Sequence, residues 1–158
     1  MVSINWCLKI KNGLELVGPN ENMANSYLKM AEESLRAIKN NQESKIWTAS
    51  TSYYTMYYSL YAVMMKIGVK CEIHKCSIEF MKKFLLGFYS GEDVGLIETA
   101  FESRNDLQYY PNQLVNEDKL KIVREGAVDF FVKTKGVLAK INDKQVNEIR
   151  KNFEEVRR

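Results

Sequence analysis

Apolar residues recur every three to four positions along most of this chain, and turn-forming residues interrupt the rhythm. Between residues 20 and 40, Tyr27, Met30, Ala31, Leu35 and Ile38 fall on one stripe, the pattern of a helix with one face buried. Asn20 or Asn22 can cap its start, and Glu21 suits the positive end of the helix dipole. Asn40-Asn41-Gln42 reads as a loop. From about Glu43 to Ile67 the apolar positions (Ile46, Ala49, Tyr53, Met56, Leu60, Met64 among them) cover more than one face, which predicts a helix at the centre of a bundle. Ala49, Ser50 and Ser52 give that helix a low surface on which a neighbour can sit close, and Gly68 ends it. A third helix opens at Glu72-Ile73-His74 with Ile78, Met81, Phe84, Leu85 and Phe88 turned inward, and Ser90-Gly91 reads as a turn. A fourth runs from Glu92 through Val94, Ile97, Ala100 and Phe101 until Pro111-Asn112 closes it. A fifth starts at Glu117-Asp118 and carries Leu120, Val123, Ala127, Phe130, Phe131, Val137 and Leu138, and a short last helix spans Asp143 to about Arg157. The first dozen residues, with Ile4, Trp6, Leu8 and Ile10, fit helix or strand alike, and Gly13, Gly18 and Pro19 set them apart.

Composition narrows this picture to one all-α domain. The chain has 158 residues, enough for one proper core, and its 8 Gly and 2 Pro are too few for the many turns of an all-β fold. The expected layout is an N-terminal extension over 1–19, an up-and-down bundle of four to five helices over 20–142, and a C-terminal helix over 143–158. The apolar run from Tyr53 to Val69 includes Thr55, Ser59, Lys66 and five tyrosines, which suits a buried helix better than a membrane span. Three cysteines, Cys7, Cys71 and Cys76, with no secretory leader pattern, point to free thiols in a reducing cytoplasm. Net charge is +3, and residues 133–158 hold 8 basic and 4 acidic side chains, a mildly basic face that can touch nucleic acid or simply be solvated. Cys71-Glu72-Ile73-His74-Lys75-Cys76 lacks the second cluster a tetrahedral zinc site needs, so no metal and no cofactor are expected.

The candidate chemistry lies in Ser103-Arg104-Asn105-Asp106-Leu107-Gln108-Tyr109-Tyr110-Pro111, where a guanidinium, amides, a carboxylate and two phenols gather at a helix end. Arg104 can serve an anionic ligand or pair with Asp106 or Glu102 to finish the helix. His74, the only histidine, can be an ordinary helix-start residue or an imidazole facing the Arg104 region. The tyrosines Tyr53, Tyr54, Tyr57, Tyr58 and Tyr61 can form core and dimer contacts or a platform for stacked bases.

The helix carrying Trp47-Thr48-Ala49-Ser50-Thr51-Ser52-Tyr53-Tyr54-Thr55-Met56-Tyr57-Tyr58, the His74 that opens the next helix, and the polar segment from Arg104, taken in this order, resemble the HEPN family of small all-α domains over residues 20–142. The resemblance implies a homodimer. It also implies, in active members, a metal-independent RNase site made of an Arg and a His with four to six residues between them. Arg104-Asn105 matches the start of that motif, but Tyr109, Tyr110 and Pro111 stand where the His would fall. A phenol with a pKa near ~10 is a poor proton acceptor at pH 7, whereas an imidazole near ~6.5 is well placed for it. The reading is therefore a non-catalytic or weakly catalytic module that binds RNA or a nucleotide through Arg104, Asn105 and Tyr110, within a toxin–antitoxin-type system. Two alternatives stand beside it: an active RNase toxin using His74 or Tyr109, and a protein-interaction module whose partner is a minimal nucleotidyltransferase. In some HEPN domains a motif Tyr accepts a transferred nucleotide, which Tyr109 or Tyr110 could resemble.

Overall fold

The computed structural model describes residues 2–158, and most of these are helical. The described residues form seven helices: α1 (Ile4–Cys7), α2 (Glu21–Asn40), α3 (Lys45–Ile67), α4 (His74–Phe84), α5 (Gly91–Tyr109), α6 (Glu117–Lys140) and α7 (Asp143–Arg157). None is long and apolar enough to cross a membrane. Two short strands, β1 (Glu15–Leu16) and β2 (Val69–Lys70), pair antiparallel with Leu16 opposite Val69.

Helix starts follow local chemistry. Asn20 Oδ1 accepts from the Met23 amide at 2.9 Å, and Asn116 Oδ1 accepts from Lys119 at 3.0 Å, each satisfying one of the free amides of a helix's first turn. Ser90, which reads from sequence as part of a turn, caps α5. Its hydroxyl accepts from the Asp93 amide while the Asp93 carboxylate accepts from the Ser90 amide at 2.7 Å, a reciprocal capping box. Burial opposes ionisation of Asp93, but Lys133 and the two Ser90 donors outweigh it and hold the carboxyl below its usual range.

Helix α3 is the axis of the bundle. Over its 23 residues, roughly 35 Å at the usual helical rise, it packs against α2, α5 and α6 and also touches α4 and α7. Its buried side chains include the small Ala49, Ser50, Ser52 and Ser59 as well as Tyr53, Met56, Leu60 and Met64, so neighbours approach on several sides. The four-residue connection from α2 turns α3 back along it, and Lys66 near the end of α3 accordingly pairs with Glu21 at the start of α2, 3.3 Å away.

The C-terminus of α3 is a junction. Gly68 adopts φ +85°, open to glycine at little cost, and a Cβ there would lie 2.5 Å from the Val17 carbonyl and 2.4 Å from Arg150 Nη1. Arg150, on α7, sets its Nη1 within 2.8, 2.9 and 3.0 Å of the carbonyl oxygens of Val17, Ile67 and Gly68. One cation from the last helix thus neutralises the negative end of α3 and binds the strand-like segment beside it.

The N-terminal segment proves to be a short helix, and its packing overturns the expectation of three free thiols. α1 lies against α4, and Cys7 is joined to Cys76 in a disulfide with Cα atoms 5.4 Å apart. The physical reason is docking. Leu8 and Leu14 pack into the same core cluster as the bundle, the Leu14 amide donates to the Cys7 carbonyl, and the Glu72 amide donates to the Asn12 carbonyl. Gly13 makes the return possible, since a Cβ there would meet the Cys7 carbonyl oxygen at 2.1 Å. Cys71 alone remains a thiol, buried and pushed above its usual pKa by that burial.

Candidate anion-binding site

Three helices bring together residues far apart in the chain. Tyr53 and Tyr54 come from the middle of α3, His74 from the first residue of α4, and Arg104 from α5. The Arg104 guanidinium carbon lies 5.5 Å from the Tyr53 ring centre and 5.2 Å from that of Tyr54, an arrangement in which the π faces attract the cation. No Asp or Glu among the described residues pairs with it, so the tie to Asp106 or Glu102 that the sequence allows does not form. Its polar contact is a long one, Nη1 to Asn105 Oδ1 at 3.4 Å, and its buried Nε has no hydrogen-bond partner. A guanidinium carries five donors, so most of them remain available here.

His74 is held beside this cation in one tautomer. Its Nδ1 lies 2.7 Å from the Tyr53 hydroxyl, and its ring stacks on Tyr57 at 4.0 Å with an interplanar angle of 12°. The Tyr53 side chain is wholly buried, and burial raises its pKa well above the usual phenol value, so it keeps its proton. That proton has no other acceptor among the described residues, so Tyr53 donates and Nδ1 accepts. The imidazole proton then sits on Nε2. Burial first, and then the Arg104 charge, push the His74 pKa down to about 4. At neutral pH His74 is therefore an uncharged hydrogen-bond donor and a weak base, poorly suited to taking up a proton during catalysis.

The remaining residues singled out from sequence fall elsewhere. Tyr109 and Tyr110 close α5 with 65% and 60% of their surface exposed, and the rings that Arg104 and His74 lie against are Tyr53, Tyr54 and Tyr57 instead. Helical spacing explains this: Arg104 shares its face with Gln108, four residues on, whereas Asn105 shares its face with Tyr109. Asn105 and Tyr110 line a separate groove of about 650 Å³ with Lys75, Lys82 and Glu98. Among the described residues no group of three or more His, Cys, Asp or Glu side chains is placed to hold a metal ion.

Two features of the site escape a reading of the sequence. Gln108 Nε2 donates to Ser50 Oγ at 3.1 Å, fastening α5 to α3 beside Arg104. The aromatic support of Arg104 comes from Tyr53 and Tyr54, two helices earlier in the chain, and only the helical interval between Arg104 and Gln108 hints that both face α3. No protein-family model matches the chain, and no curated protein does either.

Proposed function

We propose that this protein is a HEPN-like module that binds RNA or a nucleotide through Arg104, with little or no cleavage activity. The observation that carries the proposal is the Arg104 guanidinium, oriented by two tyrosine faces, without a carboxylate partner among the described residues, and set beside an uncharged imidazole. A cation held in this way is prepared for a phosphate, to which it can present paired donors. His74 is uncharged at neutral pH, so the positive charge of the cluster rests on Arg104. The low pKa of His74 argues against the general acid–base role that metal-free RNA cleavage requires. The HEPN resemblance supports a homodimer, in which two copies of the Arg104 region share one cleft, and a toxin–antitoxin setting.

The test is single-stranded RNA binding followed by fluorescence anisotropy across a salt series. Wild-type protein binds at low salt with a clear salt dependence. Arg104→Ala weakens binding and reduces the slope of log K against log salt by about 0.7 for each phosphate that the variant no longer neutralises. No binding at low salt would refute the proposal. The active-RNase reading rests on one observation, the proximity of His74 to Arg104. It requires cleavage in the presence of a chelator that is abolished by both Arg104→Ala and His74→Ala.

A further inference from the structure

We infer that the groove between α2, α3 and the end of α5 is a seat for a nucleobase whose phosphate is held by Arg104; this rests on the RNA- or nucleotide-binding reading above. The groove encloses about 310 Å³ and is lined by Trp47, Ser50, Thr51, Tyr54, Tyr58 and Gln108, with Glu33 on its α2 side. Arg104 does not line it, but Tyr54 links the two: it lines the groove and its ring lies 5.2 Å from the Arg104 guanidinium carbon. An aromatic groove one side chain away from a guanidinium without a carboxylate partner complements a ligand that is flat and apolar at one end and anionic at the other, which describes a nucleotide.

The individual groups fit that occupant. Trp47 is 56% exposed, unusual for the largest apolar side chain, and it stands on the first turn of a helix that is otherwise mostly buried. Its indole offers a face for stacking, while Tyr54 and Tyr58, stacked on one another at 5.3 Å, form a rigid wall. Gln108 spends one amide hydrogen on Ser50, and its Oε1 has no partner among the described residues; the Ser50 hydroxyl hydrogen is likewise uncommitted. An acceptor and a donor therefore sit side by side at the base of the groove, the arrangement that reads the edge of a base. Glu33 repels a phosphate on the α2 side, which orients the ligand with its anionic end toward Arg104.

The test uses the Trp6→Phe protein, in which Trp47 is the sole tryptophan, titrated at low salt with a ten-residue oligoadenylate and with a ribose-phosphate oligomer of the same length lacking bases. The base-bearing oligomer quenches Trp47 fluorescence and binds roughly 5- to 100-fold more tightly than the abasic one, and Trp47→Ala removes most of that advantage without lowering the melting temperature. Equal affinity for the two oligomers with no quenching, while Arg104→Ala still weakens both, would overturn the base seat and leave the phosphate-binding reading intact. Failure of both oligomers to bind would overturn both readings.

Discussion

Removing the Cys7–Cys76 bond should cost this protein more than any surface substitution. The bridge closes a loop with a sequence separation of 69, and the chain-entropy relation for a loop of that size gives about 4.4 kcal/mol of stabilisation at 25 °C. For a domain of 158 residues each kcal/mol moves the melting temperature by roughly 2–4 °C, so the expected loss is about 9–18 °C. The double substitution Cys7→Ala, Cys76→Ala is the cleaner perturbation, because serine would bury hydroxyls in an apolar cluster. Thermal unfolding followed by circular dichroism compares it with the oxidised wild type. Thiol alkylation in denaturant, read by mass spectrometry, supplies the covalent count: one label for unreduced protein, on Cys71, and three after reduction. Both bridged cysteines are fully buried, so a mild reductant acts on the folded protein only through local opening and should work slowly at 25 °C. Three labels on unreduced protein, or a melting temperature unchanged by the double substitution, would refute the reasoning.

The His74 environment gives a pH dependence of defined sign. Its folded pKa of about 4 lies below the unfolded value of ~6.5, so as pH falls from 6.5 toward 4 the unfolded chain takes up a proton that the folded one refuses, and stability is lost across that window. His74→Gln should flatten this part of a melting-temperature profile between pH 4 and 8, whereas identical acid limbs would show that His74 is not the group responsible. Tyr53→Phe strands His74 Nδ1 without its donor and should destabilise by about 1–2 kcal/mol in denaturant titration, with a changed imidazole nitrogen shift by NMR. Gly68→Ala forces a positive φ on alanine and drives its Cβ into the Val17 carbonyl, so a loss above ~1 kcal/mol is expected from the same assay. Arg150→Met leaves the Val17 and Ile67 carbonyls without their donor, while Gly68 keeps the Val17 amide, and should cost ~1–3 kcal/mol; a loss under ~0.5 kcal/mol would show that solvent satisfies them.

The helical framework is legible in the sequence because it is written in local signals. Periodicity and caps locate the starts of α2 through α7 closely, and Asn20 is recognisable because capping depends on neighbours three positions away. The end of α4 is less legible: Leu85 and Phe88 keep the apolar rhythm and face inward, yet the helix stops at Phe84. Ser90 reads as a turn since the same residue types serve turns and caps, and only the reciprocal bond with Asp93 separates them. The two strands are invisible: two residues each are too short for an alternation, and their pairing depends on the fold bringing residues 15–16 to 69–70. The disulfide is hidden for the same reason, as Cys7 meets Cys76 only once α1 docks on α4. At the candidate site, Arg104 and His74 stand out separately, but their convergence on Tyr53 depends on how α4 and α5 cross α3, which no interval in the chain encodes.

The Arg150 junction sets an order for the protein's birth. Ribosomes deliver the chain from its N-terminus, and domains tend to form as their segments emerge. Helix α3 can pair with α2 early, yet the Ile67 carbonyl at its end waits for a side chain made some eighty residues later. Until then the least polar helix of the molecule has an open end and an uncovered flank where α6 belongs. Packing of α6 covers that flank, and α7 with Arg150 then completes the end of α3.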